Sequence, residues 1–123
     1  MIEDLIFKID EIKMDLGIKD KQITIYGSVT ELMEAIRELL QIGEAKVAVV
    51  KNSDEAILVT TRTTVVRIIP ESIHDESIKM RKNVRSNTII ISKGAKNKKV
   101  AEMAAFLISP KSHAINGQFI YMK

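Results

Sequence analysis

Two short aliphatic runs set the tightest limit on how this chain can fold. Residues 46–51 (Lys-Val-Ala-Val-Val-Lys) and 87–92 (Asn-Thr-Ile-Ile-Ile-Ser) are unbroken, β-branched and of strand length, the pattern of interior strands in a parallel sheet. Each has an amphipathic helical stretch beside it. Leu32, Met33, Ile36, Leu39 and Leu40 lie on one helical face before the first run. Val100, Ala101, Ala104, Phe106, Leu107 and Ile108 form an apolar set after the second. Neighbouring parallel strands need a crossover of a dozen or more residues, usually a helix. The alternation therefore predicts an α/β domain whose sheet is mostly parallel, with four or five strands flanked by helices.

The other elements are read from their punctuation. Ile2, Leu5, Ile6, Ile9, Ile12 and Leu16 recur at spacings of three and four, which predicts an N-terminal amphipathic helix over residues 1–17 with Gly17 at its end. Residues 22–26 form a short β-rich run that Gly27 breaks. Ser28-Val29-Thr30-Glu31 has the form of a capping box opening the next helix, and Gly43 closes it. The β-branched residues of 56–69 argue for strand. Fourteen residues without Gly or Pro would also suit a helix, or two strands bending near Arg62. Pro70 ends that run, and residues 71–82 predict a short helix with Ile73 and Ile78 inward. Ser109-Pro110 stops the helix over residues 98–108, and residues 118–122 form a last strand.

Composition narrows the function classes. A chain of 123 residues fits one domain, 1–123. Apolar residues at 46% and charged residues at 28% exclude a disordered polymer. No cysteine is present, so disulfides and thiolate metal sites are excluded. His74 and His113 lack ligand spacing, and no metal is expected. The N-terminus has no basic signal-like region, and no apolar run reaches the ~18 residues of a membrane span. The expectation is no membrane and a cytoplasmic location.

The net charge of +3 is unevenly spread. Residues 79–99 hold Lys79, Arg81, Lys82, Arg85, Lys93, Lys96, Lys98 and Lys99 and no acid. Lys93, Lys96, Lys98 and Lys99 flank Gly94 where a helix begins. Backbone N–H groups beside lysines suit a phosphate or an acidic partner, and an exposed turn has the same appearance. Arg62, alone in the uncharged run 56–66, is a candidate for an anion or a partner's acid, or a turn residue facing water. His113 has no nucleophile tied to it. Asp10, Glu11, Asp15, Glu31, Glu34 and Glu38 fall on helix faces without paired-carboxylate spacing.

Residues 83–89 (Asn-Val-Arg-Ser-Asn-Thr-Ile) and 100–120, with Phe106-Leu107, Ser109, Ser112, Ile115 and Gly117-Gln118 in register, resemble the closing strand, helix and strand of the short-chain dehydrogenase/reductase family. Ser28-Val29-Thr30, Gly43, Val47–Val50 and Asn52 extend a weaker likeness upstream, so that residues 22–122 form the core that resembles the family. The resemblance implies a small three-layer Rossmann-like domain. It does not imply the enzyme. The family's phosphate loop needs close-set glycines, and Gly17, Gly27, Gly43, Gly94 and Gly117 stand apart. Its Tyr-x-x-x-Lys pair is absent, since Tyr26 is followed four later by Thr30 and Tyr121 lies two residues from the end. Ser53-Asp54-Glu55 follows Asn52 where the family has Asn-Ala-Gly, Lys93-Gly94 replaces Pro-Gly, and the interval from Asn52 to Asn83 is too short to carry the catalytic segment. The expected protein has no catalytic residues and no NAD(P) or other cofactor. It would act as a binding or subunit module, as a homo-oligomer or with a protein partner. The alternative is a small basic nucleic-acid binder, from a rough likeness to the Alba-type β-α-β-α-β-β order, with few aromatics to stack on bases.

Overall fold

The computed structural model describes residues 16–28, 30–51, 56–73 and 83–123. The expected N-terminal helix over residues 1–17 therefore lies outside the described residues except for Leu16 and Gly17, which are not helical, and the expected helix over 71–82 lies outside them beyond a single 3-10 turn at Glu71–Ile73. The elements run β1 (Gln22–Gly27), α1 (Glu31–Ile42), β2 (Lys46–Lys51), β3 (Ile57–Thr60), β4 (Thr64–Pro70), β5 (Arg85–Ile91), α2 (Asn97–Ile108), a 3-10 turn (Pro110–Ser112) and β6 (Phe119–Met122). All six strands join one sheet in the order β2-β1-β3-β4-β5-β6.

The protein is α/β as the alternation requires, with a mixed sheet of six strands. β1 and β2 pair parallel, as do β4 with β5 and β5 with β6, while β3 runs antiparallel to both β1 and β4. The ambiguous segment 56–69 is therefore a hairpin. Thr61 makes its turn: the hydroxyl accepts from the Thr63 and Thr64 amides, and the Thr61 amide donates to the Thr64 carbonyl. The local hydroxyl–backbone bonds favour a turn over a helix that would need the same amides.

Strand register decides what faces the helices. Ile25, Val59 and Val66 lie side by side across three strands, as do Ile57, Ile68, Ile89 and Ile120 across four. These residues belong to one apolar cluster with Leu32, Met33, Ile36 and Leu40 of α1 and Val100, Ala101, Ala104 and Leu107 of α2. The two helices also pack on each other, so both cover the same face. Among the described residues the domain has two layers, and the second helical layer of a three-layer arrangement is not formed by them.

The connections follow from this. β1 crosses to β2 toward one edge of the sheet, and β5 crosses to β6 toward the other, with all four strands pointing the same way. Helices on one face over opposite lateral steps make crossovers of opposite hand. One of the two thus departs from the right-handed rule that governs about 98% of such units.

Three local expectations are corrected. Lys46–Lys51 is an edge strand, not an interior one. Val47 and Val49 pack on the core while Ala48 and Val50 face outward, so its apolar run reflects one buried face and one bare one. The cap of α1 is Thr30, not Ser28: the Thr30 hydroxyl accepts from the Met33 amide at 3.4 Å, and the helix starts at Glu31. Phe106 points away from the core and is 37% exposed. Its neighbours Ala105 and Leu107 already fill the inward side of α2.

Gly43 is required by space. Its backbone is in an ordinary conformation, but a Cβ there would lie 2.6 Å from Ile18 Cδ1, and Ile18 is itself fully buried.

Candidate functional site

The five positions singled out by charge do not form one site. Lys93 follows β5, Lys96 is the N-cap residue of α2, and Lys98 and Lys99 lie in its first turn, all exposed. Arg62 sits in the β3–β4 turn, at the rim where the parallel strands begin. The length of β4 separates the two ends, roughly 20 Å at ~3.3 Å per residue.

At the first rim, α2 opens with no side-chain cap and no acid in its first turn. Lysines there oppose the helix dipole. Lys99 also reaches a groove of about 270 Å³ between α2 and β6, lined with Glu102, Met103, Phe106 and Met122. The groove thus has an apolar floor with one cation and one carboxylate on its border.

At the opposite rim, Arg62 lines a cleft of about 490 Å³ with Lys21, Gln22, Thr61, Thr63, Thr64, Arg85, Ile108, Pro110 and His113. Arg85 is built in. Its Nη1 donates to the Ser112 carbonyl at 2.8 Å, the Ser112 hydroxyl at 2.6 Å and the Ile115 carbonyl at 3.4 Å, and its Nη2 donates to the Ser109 carbonyl at 3.0 Å. Burial pulls its pKa below the ordinary arginine value, though an arginine this hydrogen-bonded remains a cation near neutral pH. Sequence reading missed Lys21, Arg85 and Thr61 as companions of Arg62. No spacing signal links positions 21, 62 and 85, because only the pairing of β1, β3, β4 and β5 brings them to one edge.

The residues that carry the dehydrogenase likeness meet around Arg85. Asn87, fully buried, donates from Nδ2 to the Ile115 carbonyl at 3.0 Å and accepts at Oδ1 from the Gln118 amide at 3.0 Å. The Ser86 amide donates to Asn116 Oδ1, and the Gly117 amide donates to the Ser86 carbonyl. The Ser112 hydroxyl shares its one hydrogen between the Leu107 and Ser109 carbonyls, each at 3.0 Å, tying the end of α2 to its 3-10 turn. The motif thus fastens the α2–β6 connection to β5, and its polar groups are committed to backbone.

The β1–α1 turn, where a dinucleotide loop would sit in a doubly wound fold, has Gly27 alone. A Cβ at Gly27 would lie 3.3 Å from the Ala56 carbonyl oxygen and from Ile57 Cγ1. Its missing side chain leaves room for the start of β3. Among the described residues no group of three or more His, Asp or Glu is placed to hold a metal, and no helix is long and apolar enough to cross a membrane. Comparison with family models, curated proteins and solved structures gives no match.

Proposed function

We propose that this protein is a non-catalytic binding module, derived from the short-chain dehydrogenase scaffold, that works by association with a second copy of itself through the α2–β6 groove. The observation that carries this is Phe106, a large aromatic turned outward on an otherwise core-filling helix. It lines the groove together with Met103, Met122, Lys99 and Glu102. A border with one charge of each sign is self-complementary under a two-fold axis, where Lys99 of one copy meets Glu102 of the other. The ancestry is supported by the β5–α2–β6 unit, in which residues of the family-like motif bond to one another. Absence of a glycine-rich loop and of a Tyr-x-x-x-Lys pair supports the lack of hydride-transfer chemistry.

Light scattering across a concentration series tests the reading. A dimer is expected, reduced to monomer by Phe106→Asp with the fold retained by circular dichroism. A clean monomer at high concentration for the unaltered chain would overturn it.

A second reading rests on the exposed β2-β1-β3 side of the sheet face opposite α1 and α2. Register puts Tyr26, Val50, Leu58, Thr60, Lys46 and Arg67 there, and no strand position on that face is an acid. Aromatic and basic groups on an exposed part of a sheet suit single-stranded nucleic acid. A salt-dependent shift of an oligonucleotide probe, lost in Tyr26→Ala with Arg67→Ala, is the expected result; no retardation at low salt removes this reading.

A further inference from the structure

We infer that the cleft at the β3–β4 turn is a binding site for a small organic phosphate, with Lys21 and Arg62 holding the phosphate and Ile108 and Pro110 walling its organic part. Three observations support it together. The charge is one-signed: Lys21, Arg62 and Arg85 line the cleft with His113, and none of its lining residues is a carboxylate. A one-signed cluster of cations in a concave site concentrates an oppositely charged ligand, because the low-dielectric walls focus the field.

The charge is also partly fixed in place. Arg85 is clamped by the carbonyls of Ser109, Ser112 and Ile115, so the floor of the cleft carries a cation that loses no side-chain entropy on binding. Lys21 and Arg62 are exposed and can close from the rim. Arginine and lysine supply the forked and point-charge contacts that phosphate oxygens take. The hydroxyl of Thr61 accepts from two backbone amides, which directs its own hydrogen elsewhere, and Thr63 is exposed next to it.

Size and wall chemistry set the ligand class. A volume of about 490 Å³ lies within the range of about 300–1,000 Å³ typical of small-molecule sites. That exceeds the space a bare phosphate ion fills, and the wall formed by Ile108 and Pro110 calls for an apolar or ring-bearing substituent. The cleft lies where the parallel strands begin, the reverse of the strand ends at which doubly wound sheets bind nucleotides. It is therefore distinct from any inherited cofactor position and lies at the far end of the sheet from Lys93–Lys99.

Amide NMR titration of the whole chain with phenyl phosphate, inorganic phosphate and a short thymidine oligonucleotide tests the assignment. Phenyl phosphate is expected to give saturable shifts centred on residues 61–64, 85 and 113, and to bind more tightly than inorganic phosphate. Arg62→Ala and Lys21→Ala should each weaken it by about tenfold with the thermal unfolding midpoint unchanged, since both side chains are exposed. No saturation at millimolar phenyl phosphate would overturn the inference, as would shifts centred on residues 93–99 or undiminished binding by Arg62→Ala. Tighter, Arg62-dependent binding of the oligonucleotide would also overturn it, by making the cleft part of a nucleic-acid surface.

Discussion

The two crossover units of this protein are built alike, and side chains fasten their helices at opposite ends. In β1-α1-β2 the helix is secured where it begins. Thr30 caps it, Glu31 and Glu34 lie in its first turn, where they complement the dipole, and Arg37 pairs with Glu34. In β5-α2-β6 the helix begins with Lys96, Lys98 and Lys99 and no side-chain cap. It is secured where it ends, by Arg85 on the carbonyls of Ser109 and Ser112, with Ser112 bonding back to Leu107. The difference shows that α2 can begin without a side-chain cap when its far end is bonded and its face is packed. The unsecured terminus of α2 is left basic and exposed.

The sharpest break in this comparison comes from Arg85→Met. The carbonyls of Ser109, Ser112 and Ile115 and the buried Ser112 hydroxyl would each lose the charged one of their donors, and a drop of about 2–4 kcal/mol in unfolding free energy is expected, read by urea denaturation. Next is Gly43→Ala, which forces a methyl against Ile18 and should cost about 1–3 kcal/mol. Ile18→Val in the same chain should recover part of that loss; failure to recover would show that the clash with Ile18 is not the cause.

Removing the cap of α1 with Thr30→Ala is expected to cost about 1 kcal/mol in unfolding free energy, read by urea denaturation. The smallest effect is a gain. Lys96→Asp gives α2 the cap that α1 already has, and the thermal midpoint should rise by an amount corresponding to about 0.5–1 kcal/mol. A fall would mean that Lys96 makes a contact worth more than the cap.

Much of this was legible in the chain. The helices at Leu32–Leu40 and Val100–Ile108, the strands at residues 22–26, 87–92 and 118–122, and the stop at Ser109-Pro110 follow from periodicity and breakers, which are local properties. The strand–helix ambiguity at 56–69 was not decidable from propensity. It was settled by pairing, since Val59 and Val66 complete a row with Ile25. Phe106 was misread because an apolar helix position carries no label for inward or outward once Ala105 and Leu107 flank it.

What the sequence by itself determined is the α/β class, most of the described element positions, the absence of cysteine from these 123 residues, and the lone arginine in the uncharged run. Only the tertiary structure decided the strand order, the edge position of β2, the placement of both helices on one face, and the gathering of Lys21, Arg62 and Arg85 at one rim. The reason is physical. Periodicity records which side of an element is apolar, but strand order and charge gathering depend on contacts between residues far apart in the chain.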